Sequence, residues 1–233
     1  MFIRYAPCAY ATIKEDDMEK RDVFNRMVSE GLVPVIRVTS AAEAMDVAEA
    51  IKEGGCSVIE ITMSVPGAID VIKDLTKKYR DDIILGAGTI LDSETGRAAL
   101  LAGAQFIVAP TLNLDLIQLA HRYSAVVVPG AMTPTEILTA WEAGADMVKV
   151  FPAAQLGGPD YIKALRGPMP QILYVPTGGV NLQNAGAFIK AGATALGAGG
   201  ELVDKKAIKE KKFHVITENT RAFLKTIQEA RRS

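Results

Sequence analysis

Apolar positions along this chain fall into two alternating kinds of run. Stretches with few polar positions, "VPVIRV" (33–38), "IILGAG" (83–88), "AVVVPG" (125–130) and "ILYVPTGG" (172–179), read as strands covered on both faces. Amphipathic stretches such as "AAEAMDVAEAIKE" and "TPTEILTAWEA" lie between the strands and are spaced as helices that bury one side. Four further segments share one form, a helical stretch, a glycine with a small residue after it, and an apolar strand. They are "AIKEGGCSVIEIT", "ALLAGAQFIVAP", "AWEAGADMVKVFP" and "FIKAGATALGAGG". The first glycine of each (Gly54, Gly103, Gly144, Gly192) is predicted to end its helix in the left-handed conformation, which lacks a Cβ penalty for glycine.

Together these give eight strands about one βα unit apart, the pattern of a parallel sheet covered by helices. The expected architecture is a closed (β/α)8 TIM barrel with an extra N-terminal helix at "EKRDVFNRMVSEG". An open doubly wound sheet is the alternative; it calls for a glycine fingerprint after the first strand, and "VIRVTSAAEA" has none. The 233 residues suit a single barrel domain over 19–233, with residues 1–18 as a poorly ordered extension and Met18 as a second possible start.

Bulk composition narrows the function mainly by exclusion. A net charge of -1 removes the simplest argument for a nucleic-acid or anionic-membrane partner. No apolar run approaches the ~20 residues of a membrane span, and the N-terminal stretch lacks a secretory apolar core. Cys8 and Cys56 are too few for a disulfide framework, which fits a reduced, cytoplasmic setting, and Cys56 reads as a small core residue. His121 and His214 stand apart from other ligand types, so no metal site is expected.

Strand parity brings chemistry into the picture. Met147, Lys149 and Phe151 share one face of their strand, Val58, Glu60 and Thr62 one face of theirs, and Val33, Val35 and Arg37 another. Turning these faces inward leaves Ile36, Val38, Ile59, Ile61, Val148 and Val150 to meet helices. It also gathers Arg37, Glu60 and Lys149 at the carboxyl ends of the strands, where barrel active sites lie, with Thr89 following the third strand. Three ionisable groups entering one interior are costly without a use. Burial favours the free amine of a lysine. A free amine attacks a ketone to give a Schiff base, and a nearby carboxylate can move the protons. Arg37 and donors near Thr89 could hold an anionic group. The residues therefore point to an imine-forming lyase without naming its substrate.

Two glycine-rich turns follow the last two strands, "PTGGVN" (176–181), with Asn181 placed to cap a helix, and "GAGGEL" (197–202). Backbone N–H groups around Gly178, Gly179, Gly199 and Gly200 form a candidate phosphate site. Tight turn geometry alone would also account for these glycines.

With these residues assembled, the chain resembles the 2-keto-3-deoxy-6-phosphogluconate (KDPG) / 4-hydroxy-2-oxoglutarate (KHG) aldolase family. The likeness runs from "LVPVIRV" to "GAGGELV" through "EIT", "GAGT", "PGAMTPTE", "KVFPA" and "PTGGV" in order. It implies a class I aldolase: a metal-independent (β/α)8 barrel, usually a homotrimer, that releases pyruvate and needs no cofactor beyond the covalent imine. It places the imine on Lys149, the proton shuttle on Glu60 and a pyruvate-carboxylate contact on Thr89. Thr62, Pro110 and Phe151 join Arg37 and the four glycines as substrate-binding positions. The implied reactions are KDPG to pyruvate and glyceraldehyde 3-phosphate, and 4-hydroxy-2-oxoglutarate to pyruvate and glyoxylate. Two departures stand out. Ser64 replaces an arginine that some members use for carboxylate, a charge that Arg37 can supply instead. Gly200, followed by Glu201, replaces a phosphate-binding serine. These keep open an unphosphorylated, shorter or C4-epimeric substrate and a non-catalytic barrel subunit; a barrel decarboxylase or epimerase acting on a sugar phosphate is a separate alternative.

Overall fold

In the computed structural model, residues 19–232 are described, so the expected extension 1–18 lies outside the described residues. Helix α1 (Lys20–Glu30) precedes strand β1 (Leu32–Ile36), and the chain then alternates helix and strand. The succession is α2 (Ala41–Glu53), β2 (Val58–Thr62), α3 (Ala68–Tyr79), β3 (Ile84–Gly88), α4 (Ser93–Leu101), β4 (Phe106–Val108), α5 (Leu114–Arg122) and β5 (Val126–Val128). It continues with β6 (Gly130–Ala131), α6 (Pro134–Glu142), β7 (Val148–Val150), α7 (Pro159–Arg166), β8 (Tyr174–Pro176), α8 (Leu182–Lys190), β9 (Leu196–Ala198), α9 (Lys205–Lys209) and α10 (Phe213–Arg232).

All strand pairs are parallel, and the strands curl into a sheet covered by helices. One section has six strands in the order β5-β4-β3-β2-β1-β9, and the other has three, β6-β7-β8. The expected fifth strand is thus split into β5 and β6. Pro129 lies between them; proline has no N–H to give to a ladder, although its carbonyl still accepts from Lys149 N–H at 2.9 Å. Across the other gap, Thr177, just beyond β8, forms a parallel bridge with Gly197 in the middle of β9.

The strands are buried along their whole length, as their apolar runs require. Ile59 and Ile61 on one face of β2 and Glu60 and Thr62 on the other are all 0–2% exposed. Register identifies what fills the polar face. Glu60 pairs with Gly86, and Gly86 with Phe106, whose ring occupies the space a Gly86 side chain would take. At the opposite, amino end of the sheet, the Glu30 carboxylate accepts from the Ser57 and Val58 N–H groups, the Cys56 thiol and the Ser57 hydroxyl. Cys56 is 1% exposed, the small core residue expected.

Gly54 departs from its sequence expectation. It keeps right-handed φ (-69°), and the left-handed position is taken by Gly55 (φ 93°), whereas Gly103, Gly144 and Gly192 are left-handed as read. Helices α4, α6 and α8 place alanine where α2 has Gly54. A Cβ there would lie 2.5 Å from the Thr220 side chain of α10, so close helix packing sets this glycine.

Candidate active site

Lys149 occupies the middle of the three-residue strand β7, between Val148 and Val150, and is 6% exposed. Its Nζ lies over the Phe151 ring, 5.4 Å from its centre, and that ring is 38% exposed. Among the described residues the Lys149 amine has no hydrogen-bond or ion-pair partner, which leaves it free for a ligand.

Glu60 comes from the centre of β2 and is 2% exposed, with Oε1 buried and without a hydrogen-bond partner among the described residues. Burial raises its proton affinity above that of an ordinary carboxyl, against the opposing positive charges of Lys149 and Arg37. The carboxyl thus lies within the field of both cations without being tied to either. An orphaned buried acceptor costs about 1–3 kcal/mol, so its retention beside an unpaired amine favours a chemical role.

Arg37 is exposed and is the first residue beyond β1. Its Nη1 donates to Ser64 Oγ at 2.8 Å and its Nη2 to Thr89 Oγ1 at 2.9 Å. Thr62 lies beneath, 0% exposed, donating to the Ile36 carbonyl at 2.9 Å and sharing a 2.8 Å hydrogen bond with Ser64. The sequence placed Thr62 among substrate contacts. Its hydroxyl reaches the Arg37 clamp through Ser64. Ser64, which the sequence marks only as a departure, lies in the turn beyond β2, where strand alternation no longer fixes the face. Thr89 holds φ at 60°, an uncommon conformation for a β-branched residue, and there its hydroxyl meets Arg37. Arg37, Ser64 and Thr89 thus make a cationic, hydroxyl-braced clamp.

The remaining positions lie around this centre. Pro110 follows β4 closely and is half-buried, its backbone filling the space above Gly130, the residue paired with Lys149. Gly178 (φ 90°) and Gly179 (φ 74°) are left-handed; a Cβ on Gly178 would touch the Phe151 ring at 3.3 Å. Gly199 and Gly200 differ, having ordinary φ and open space around a notional Cβ. Turn geometry therefore explains the first pair and not the second. The N–H groups of Gly178, Gly179 and Gly200 have no protein acceptor among the described residues, so they are available to an anion. No cluster of three metal-ligating side chains occurs among those residues. The arrangement offers a nucleophilic amine, a carboxyl that can carry a proton, and a clamp for a carboxylate.

Comparison with known proteins points the same way. The family model described as "KDPG and KHG aldolase" matches residues 23–219. A 2-dehydro-3-deoxy-phosphogluconate aldolase of Pseudomonas aeruginosa is 35% identical over 177 residues, 76% of this chain and 80% of that protein. The solved structure described as native KDPGal superposes with a TM-score of 0.80 at 32% identity, covering 87% of this chain and 96% of the other. A KDPG aldolase from Legionella pneumophila, captured with pyruvate as a covalent carbinolamine, has a TM-score of 0.78 at 29% identity, with 88% and 98% covered.

Proposed function

The chain belongs to the KDPG and KHG aldolase family, and from that premise we propose that it cleaves a 4-hydroxy-2-keto acid through an imine on Lys149. The observation that carries this reading is the buried Lys149 side chain, whose amine has no hydrogen-bond or ion-pair partner among the described residues, acting on a buried Glu60 whose Oε1 is likewise unpartnered there. The amine adds to the C2 ketone to give a carbinolamine, which loses water to the iminium. Glu60 accepts the C4 hydroxyl proton as the C3–C4 bond breaks and the electron pair moves to the iminium nitrogen. The aldehyde leaves, Glu60 returns a proton to C3 of the enamine, and water releases pyruvate. Arg37 and Thr89 hold the keto-acid carboxylate, braced by Ser64, while Pro110 and Phe151 bound the pocket. Gly178, Gly179, Gly199 and Gly200 surround the far end of the substrate. No metal or separate cofactor enters these steps.

KDPG and 4-hydroxy-2-oxoglutarate are the substrates of first choice. The C4 epimer of KDPG is a second reading, favoured by the 32% identity to the KDPGal structure. Residues 19–233 are proposed to form one cytoplasmic domain. Its sheet closes as an eight-stranded barrel when β5 and β6 count as one strand and the Thr177–Gly197 bridge joins β8 to β9. Three copies form the working particle, with no nucleic-acid or membrane partner.

Borohydride reduction in the presence of pyruvate tests the central claim. The peptide bearing Lys149 gains the mass of a reduced pyruvate adduct, and Lys149→Ala loses both adduct and cleavage. An adduct elsewhere, or cleavage that survives Lys149→Ala, rules the reading out. Comparing kcat/KM for KDPG, its C4 epimer, its unphosphorylated form and 4-hydroxy-2-oxoglutarate then identifies the substrate.

A further inference from the structure

We propose that Gly88 is the positioning residue for the Glu60 carboxyl, its missing side chain forming the recess that holds the proton-transfer group; this rests on the role given to Glu60 above. A glycine inside a strand normally weakens it, so Gly86 and Gly88 in β3 need a reason. Neither is left-handed. A Cβ on Gly86 would meet Phe106 ring atoms at 2.1, 2.2 and 2.4 Å. On Gly88 it would meet three atoms of one side chain, Glu60 Oε1 at 1.7 Å, Cδ at 2.3 Å and Cγ at 2.6 Å.

Register turns these contacts into a device. Glu60 lies level with Gly86, while Gly88 lies level with Thr62, two residues nearer the carboxyl end. Phe106 already fills the space at Glu60's own level, so the side chain leans along the sheet and its carboxyl comes to rest over Gly88. That brings it next to the residue before Thr89, at the end of the sheet where Arg37 holds its clamp. The two glycines thus act differently. Gly86 admits a rigid core ring, and Gly88 admits the end of a flexible chain. Alanine at 88 conflicts with Glu60 alone among its nearest neighbours, so relief comes from displacing the carboxyl rather than from opening the core.

Gly88→Ala, Glu60→Gln and the double variant are compared by two readouts with pyruvate as the probe. Borohydride trapping reports the imine, and deuterium entry into the pyruvate methyl group reports proton transfer. Gly88→Ala is expected to trap pyruvate within about threefold of the parent yet exchange at least about a hundredfold more slowly, the scale of a lost acid–base group. The double variant is expected to exchange no more slowly than Glu60→Gln. Exchange near the parent's rate in Gly88→Ala, equal loss of trapping and exchange, or an additive loss in the double variant each overturns the assignment of Gly88. Unchanged exchange in Glu60→Gln overturns the role of Glu60 first, and the Gly88 proposal with it. Should Gly88→Ala fail to fold, Glu60→Ala in the same chain removes the conflict and is expected to restore folding; continued failure overturns the proposal.

Discussion

A single buried carboxyl links stability to chemistry here. Burial raises Glu60's proton affinity in the folded chain, while Lys149 and Arg37 pull it back. Below the ordinary glutamate pKa of about 4.3, both folded and unfolded states hold the proton and burial costs nothing through it. As pH rises past that value the unfolded state ionises first, so stability is lost until the folded carboxyl ionises too. Glu60→Gln is therefore expected to be more stable than the parent at pH 7, with the advantage fading toward pH 4. Thermal unfolding reads this directly, each kcal/mol being about 2–4 °C for a chain of this size. An advantage that is absent at pH 7, or undiminished at pH 4, contradicts the account. Parity made Glu60 and Lys149 legible in the sequence, because alternation alone decides the face. The role of Gly88 was not legible, because it depends on which side chain leans across from the neighbouring strand.

Among the elements, α6 shows how local signals position a loop beside the site. Thr133 caps the helix, Pro134 begins it, and Glu136 completes a capping box by accepting from Thr133 N–H at 2.8 Å and Met132 N–H at 2.9 Å. Tyr161 Oη donates to the Met132 carbonyl at 2.7 Å, so this loop is held at both its amide and its carbonyl. It follows β6, whose Gly130 pairs with Lys149. Thr133→Ala is expected to cost about 1 kcal/mol in urea unfolding. The N–H groups of Met132 and Thr133 hold the Glu136 carboxyl below its ordinary range. Its stabilisation is thus present above the unfolded pKa of about 4.3 and lost as pH falls through the lowered folded value. Glu136→Gln should then be destabilised at pH 7 and approach the parent in acid; a constant difference across that range contradicts the assignment. The helix was legible from its period and its opening residues. The division of β5 from β6 was not, because Pro129 shows only that an N–H is missing and leaves open which ladder would have needed it.

At the scale of the whole molecule, several of the exposed large apolar residues follow strands at one end of the sheet, while Leu101, Tyr123 and Leu138 lie elsewhere. Leu91, Leu114 and Met132 are 57%, 45% and 47% exposed and follow β3, β4 and β6 at the carboxyl end of the sheet. Asn113 ties the first two loops together by donating to the Leu91 carbonyl at 3.1 Å. Single exposed leucines need no explanation, but large apolar side chains near one another at one end of the sheet fit the proposed contact with another copy. Periodicity could not reveal this face, since Leu91 and Met132 stand in separate loops and Leu114 opens α5, so no one period joins them. The proposed trimer predicts that light scattering of the parent gives three copies per particle, and that Leu91→Glu or Leu114→Lys shifts it to one. Lys149, Glu60, Arg37 and Thr89 all come from a single chain, so the dissociated variants should still trap pyruvate at Lys149. A parent that is already a single chain rejects the trimer while leaving the aldolase standing. Trapping lost upon dissociation means instead that the neighbouring copy completes the site.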